Sequence, residues 1–204
     1  MGENFCFTVN GVERCTSEDK PLLRYLRDDL HLHSVKDGCS EGACGTCTIV
    51  VDGKAVKSCV LTTRRAVGKN IITTEGLSDA EKEAFVYAFG AMGSVQCGFC
   101  TPGMVMAGTA LLQNNLNPTE EDVKYALRGN ICRCTGYKKI IEGILLTAKI
   151  LRGEASVDEN LEKGDLYGVG QRAFRVDVRK KVLGFGKYPD DIELDGMAYV
   201  SAVR

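Results

Sequence analysis

The sequence predicts an α+β protein in which a strand-rich half precedes a helical half. Three observations carry that prediction. Residues 1–76 contain two hairpin turn signals, residues 77–153 contain four stretches of helical periodicity, and eight of the ten cysteines fall into two spaced sets, one per half. With 204 residues the chain can hold one large or two small domains with cores of their own. Its 44% hydrophobic and 26% charged residues and a formal net charge of -1 are those of an ordinary globular protein, which excludes a disordered chain and a basic nucleic-acid binder. Ten cysteines in 204 residues are fewer than the ~8–10% of a small disulfide scaffold.

Phe5, Phe7 and Val9 alternate before Asn10-Gly11, so the chain opens with a β-hairpin. Pro21 then starts a short amphipathic helix with Leu22, Leu23, Leu26 and Leu30 on one face. A polar, glycine-rich loop covers residues 36–45. Residues 47–51 and 54–60 read as a second hairpin around Asp52-Gly53, and residues 70–74 as a further strand.

The period then changes. Ser78 with Glu81 forms a capping box for a helix over about 79–91, Thr101-Pro102 opens a helix to about 113, and Thr119 with Asp122 opens one to about 128. Residues 138–151 place Ile140, Ile141, Ile144, Leu145, Ala148 and Leu151 on one face before Gly153. Four such helices imply a small bundle. Phe85, Phe89, Met92, Met104 and Met106 read as its core. Residues 84–119 carry no charge, yet Gly90, Gly93, Gly98 and Pro102 interrupt them, so a buried helical hairpin is predicted and no membrane span. Residues 154–168 read as a polar linker. Residues 169–204 have too little apolar mass for a core, so they are expected to dock on another protein.

The chemistry lies in the cysteines. Cys39, Cys44 and Cys47 have the C-x4-C-x2-C spacing of a plant-type [2Fe-2S] loop, with Gly38, Gly42 and Gly45 between them, and Cys59 follows from the next strand to close the site. Cys97-x2-Cys100 and Cys132-x-Cys134 stand at the entrances of two helices, which would gather four thiolates at the head of the bundle, where free N–H groups favour anions. A four-cysteine zinc site fits the second set but not the glycine-rich first loop. Disulfides are disfavoured in the reducing compartment expected of a chain whose residues 1–6 show no secretory signal, so a cytoplasmic location is expected. His31 and His33 lack flanking cysteines for a Rieske centre and read as solvated loop residues. Cys6 and Cys15 read as two small hydrophobes in strands. Gln96 stands apart: a polar side chain in a charge-free stretch needs a partner, either a backbone group or a bound cofactor.

The strings DGCSEGACGTCTIVVDG (37–53), QCGFCTPGMVM (96–106) and RGNICRCTGY (128–137) closely resemble the iron–sulfur subunit of the molybdenum hydroxylases, the xanthine dehydrogenase family, over residues 3–153. The resemblance implies a plant-ferredoxin-like β-grasp domain at 1–76 with one [2Fe-2S] cluster on Cys39, Cys44, Cys47 and Cys59. It implies a four-helix-bundle domain at 77–153 with a second on Cys97, Cys100, Cys132 and Cys134. Cys134 and Gln96 would lie beside a molybdopterin held by a partner. Electrons would pass from molybdenum through both clusters to FAD on another partner while a purine, another N-heterocycle or an aldehyde is hydroxylated. The implied assembly is a hetero-oligomer of iron–sulfur, molybdenum-cofactor-binding and FAD-binding subunits, dimerised as a whole. Residues 169–204 resemble the opening of the molybdenum-binding subunit and are expected to begin or dock on it. No nucleotide fingerprint is present in this chain. A free-standing two-cluster electron carrier and a zinc-stabilised interaction module are the competing readings.

Overall fold

The computed structural model describes residues 4–157 and 174–203. Strands β1 (Phe5–Val9) and β2 (Val12–Thr16) form the first predicted hairpin, and β3 (Thr48–Val51) and β4 (Lys54–Lys57) the second. Both turns carry paired positive φ angles, 51° and 80° at Asn10-Gly11 and 48° and 74° at Asp52-Gly53, which is type I′ geometry. Strand β5 (Asn70–Ile72) runs parallel to β1 and antiparallel to β3, so the mixed sheet has the order β2-β1-β5-β3-β4.

Alternation along β3 joins the two halves. Ile49 and Val51 share a core with Phe7, Val9, Leu22 and Ile71, whereas Val50 lies in the core of the helical half. All four β3 residues are therefore buried. Helix α1 (Leu22–Arg24) continues as a π-turn over Tyr25–Asp29, closed by Leu30 N–H donating to Tyr25 O at 3.2 Å. The sequence predicts a regular helix here. The wider turn lets Tyr25, Leu26 and Arg27 all face inward.

The helical half contains α2 (Asp79–Met92), α3 (Thr101–Asn114), α4 (Glu120–Leu127) and α5 (Lys138–Leu151). Both predicted capping boxes are formed. Phe85, Phe89, Met104, Met106, Ile140 and Ile144 are buried together, while Met92, at the end of α2, is only half-buried. Among the described residues no helix is long and apolar enough to cross a membrane. The charge-free run is the end of α2, a cysteine-bearing turn and α3, as the hairpin reading expects.

Three expectations are corrected. Strand β4 stops at Lys57 and Ser58–Val60 is a 3-10 turn, because Ser58 N–H and Ser58 Oγ both donate to Cys47 O, at 3.2 and 2.9 Å, and bend the chain back. Cys59 thus sits on a turn and not a strand. Cys6 and Cys15 are bonded as a disulfide across β1 and β2, with Cα atoms 4.1 Å apart, because the two-residue turn places them directly opposite. Part of the C-terminal segment, expected to add nothing to a core, packs on this chain's own bundle. Phe174 and helix α6 (Val178–Val182) put Phe174, Val178, Val182 and Leu183 into the core of the bundle. Val176 and Phe185 are exposed within this stretch, and beyond Asp191 the segment carries no buried residue, with Leu194, Tyr199, Val200 and Val203 in solvent. Residues 158–168 of the predicted linker and 169–173 of the C-terminal segment lie outside the described residues.

Candidate metal centres

The first set of thiols is built by an irregular loop that ends at β3. Cys44 N–H points at Cys39 Sγ at 3.4 Å, and the N–H groups of Glu41 and Ala43 also face that sulfur. Led by the Cys44 amide, these donors bring the Cys39 thiol down to about 7, against a smaller opposing effect of burial. Cys59 arrives from the 3-10 turn. Burial first, and then the adjacent Cys47 thiol, pushes it up to about 12. The loop is tied at its base by Lys57 Nζ, which donates to Gly42 O at 2.7 Å.

The second set lies where α3 and α5 begin. Cys100 is the residue before α3, and Cys132 and Cys134 precede α5. Burial, then Cys132, raises the Cys100 thiol. Cys132 is buried, which opposes ionisation, but the Thr135 hydroxyl at 3.0 Å and the N–H groups of Cys134 and Thr135 hold its thiol below the ordinary value. Cys97 and Cys134 are both exposed, their Sγ atoms 3.6 Å apart, and the hydrogen shared with Cys97 raises Cys134.

The eight thiols therefore meet in pairs: Cys39 with Cys44, Cys47 with Cys59, Cys100 with Cys132, and Cys97 with Cys134. A [2Fe-2S] cluster takes two ligands on each of its two irons. The paired arrangement of four thiols in each set fits such a pair of irons.

Residues 7–74 match the 2Fe-2S iron–sulfur cluster binding domain family, and residues 73–145 match the [2Fe-2S] binding domain family. The nicotinate dehydrogenase small FeS subunit of Eubacterium barkeri is 46% identical over 135 residues, which are 65% of this chain and 86% of that protein. The chain belongs to the iron–sulfur subunits of the molybdenum hydroxylases, the xanthine dehydrogenase family. Among solved structures, the aldehyde oxidoreductase of Desulfovibrio desulfuricans aligns with a TM-score of 0.84 and 37% identity over 93% of this chain. This chain spans 22% of that much longer protein. Quinoline 2-oxidoreductase from Pseudomonas putida aligns with a TM-score of 0.65 and 37% identity, over 75% of this chain and 98% of the matched one.

As an iron–sulfur subunit of an oxidoreductase, the protein transfers electrons through two [2Fe-2S] clusters. Sequence reasoning missed the residues that lock its two cysteine loops together. Asn130 is buried, and its Nδ2 donates to Gly45 O at 2.8 Å and Thr48 Oγ1 at 3.1 Å. Ile131 N–H donates to Cys44 O at 2.8 Å. Tyr137, at the start of α5 with φ 68°, accepts Cys132 N–H on its hydroxyl at 2.9 Å. Their position within RGNICRCTGY was the available signal, but their partners lie about eighty residues away or depend on backbone geometry. His31 and His33 are exposed, as expected. Gln96 differs from expectation: its side chain is exposed, so burial does not demand a partner, while its carbonyl accepts Lys181 Nζ at 3.1 Å.

Proposed function

We propose that this chain relays electrons one at a time between a molybdopterin site on one partner and FAD on another, in the hydroxylation of a purine, another N-heterocycle or an aldehyde. One cluster would be held by Cys39, Cys44, Cys47 and Cys59, and the other by Cys97, Cys100, Cys132 and Cys134. The observation that carries the reading is the gathering of these eight thiols into two sets of paired sulfurs, joined by the Cys44 O to Ile131 N–H hydrogen bond. Each cluster supplies one-electron storage when bound. The chain's own groups do the rest. The amides around Cys39 stabilise thiolate charge, burial of Cys47 and Cys132 limits water at the inner sulfurs, and Asn130 fixes the spacing of the two loops.

Exposure of Cys97, Cys134 and Gln96 on one rim supports their placement beside the pterin of a molybdenum-cofactor-binding partner. Ile192, Leu194, Tyr199 and Val200, apolar and exposed, support a docking role for residues 192–203 on that partner. A hetero-oligomer in the cytoplasm, dimerised as a whole, completes the proposal. Single variants separate the centres. Cys44→Ser should abolish the ferredoxin-like signal and leave the bundle centre reducible by substrate in the complex, while Cys134→Ser should block substrate-driven reduction of both. Reduction of the ferredoxin-like centre by substrate in Cys134→Ser would contradict this order. Isolation of the chain without large partners from its native source would favour a free-standing carrier.

A further inference from the structure

Lys36 stands three residues before Cys39, and its side chain is only 1% exposed. A buried ammonium needs an anion, and among the described residues the ion pair that Lys36 makes is with Asp191. Its partners come from the C-terminal segment: Asp191 Oδ2 at 2.8 Å, Gly186 O at 3.3 Å and the ring face of Tyr188 at 5.0 Å. Asp191 also pairs with Arg27 of the π-turn at 2.8 Å. Tyr188 in turn reaches the helical half. Its hydroxyl donates to Cys97 O at 2.9 Å, and its ring meets Phe99 edge-on with centroids 5.0 Å apart. Phe99 lies between Cys97 and Cys100.

The same segment is anchored further along the bundle. The ring of Phe174 occupies the space over Gly90, where any Cβ would come within 1.9 Å of it. Leu183 O accepts Thr74 Oγ1 at 3.0 Å at the junction of the two halves. The segment that makes these contacts lies beyond both matched family domains, which end at residues 74 and 145.

We propose that residues 174–191 are an intramolecular strap that completes the redox module, with Asp191 neutralising Lys36 beside the first cysteine loop and Tyr188 acting as a positioning residue for the Cys97–Cys100 turn. The strap then ties the segment before the first cysteine loop to the Cys97–Cys100 turn, in addition to the hydrogen bonds that Asn130 makes. The role of Tyr188 rests on the two-cluster reading above, whereas that of Asp191 does not. The Tyr188 O–H dipole presents its positive end to the Cys97 carbonyl, so it favours extra negative charge at that turn.

Two measurements on the full-length holo chain test the proposal. In a potentiometric EPR titration, Tyr188→Phe keeps the ring against Phe99 and removes only the donor. The bundle-centre midpoint is expected to shift to lower potential with the other midpoint unchanged. In thermal unfolding, Asp191→Asn is expected to lower the melting temperature, and adding Lys36→Met is expected to restore part of the loss, because the variant pair no longer buries the Lys36 ammonium without its carboxylate, while Arg27 still lacks that carboxylate. Wild-type midpoints in Tyr188→Phe, or a wild-type melting temperature in Asp191→Asn, overturn the strap. Absence of any [2Fe-2S] signal in the unmodified chain would instead overturn the two-cluster reading, and the Lys36 and Asp191 cycle would still decide the strap.

Discussion

Asn130 shows how much of a metal-binding loop is held by residues that bind no metal. One amide group makes two buried hydrogen bonds to the segment that follows Cys44, across 85 positions of sequence to Gly45. Asn130→Ala is expected to cost about 1–2 kcal/mol, read as a lower unfolding midpoint in denaturant, with both iron signals retained. The cysteines themselves were legible because ligand spacing is a local property, and interleaved glycines mark a loop that must turn tightly around its sulfurs. Asn130 was not, because nothing near it in sequence states which carbonyl it meets. Cys6 and Cys15 teach the opposite lesson. Their pairing is written in the Asn10-Gly11 turn, whose two-residue length sets Cys6 against Cys15, and this register overrides the expectation from compartment. Thiol titration of the iron-free, denatured and unreduced chain should find eight reactive thiols, in line with eight free cysteines and one disulfide. Ten would contradict the bond.

At the scale of elements, the hairpins and the four bundle helices follow from turn residues, capping boxes and periodicity, and all six are present, the second hairpin with a shorter return strand than the sequence predicts. The departures share a cause, which is tertiary contact overriding local pattern. Residues 54–60 alternate well enough for one strand, but the carbonyl of Cys47 captures Ser58 and ends it early. The leucines from Leu22 suit a regular helix, yet the buried Arg27 donates to Val35 O at 2.9 Å and the turn widens to bring it inward. Residues 169–204 are too poor in apolar side chains to build a core of their own, and Phe174, Val178, Val182 and Leu183 instead join one that already exists. Gly90→Ala tests that docking, since a methyl group there displaces the Phe174 ring. The expected destabilisation is about 1–3 kcal/mol, and limited trypsin digestion should cut after Arg175 and Arg179 faster than in the unmodified chain. Unchanged digestion would mean that the segment does not depend on this contact.

For the whole molecule, the two halves are legible as separate domains but not as a single unit. Strand β3 serves both, with Ile49 and Val51 in one core and Val50 in the other. The two cysteine loops touch through Cys44, Ile131 and Asn130, and residues 174–191 span the seam. Such a molecule holds its two redox centres at a fixed separation, which is what stepwise electron transfer requires. The relay requires two iron centres in this one chain. A spin-counted EPR spectrum of the anaerobically purified, dithionite-reduced chain tests that most directly. Two distinct signals totalling about two spins per chain are predicted, one from each [2Fe-2S] cluster. A colourless, EPR-silent chain carrying zinc would contradict it.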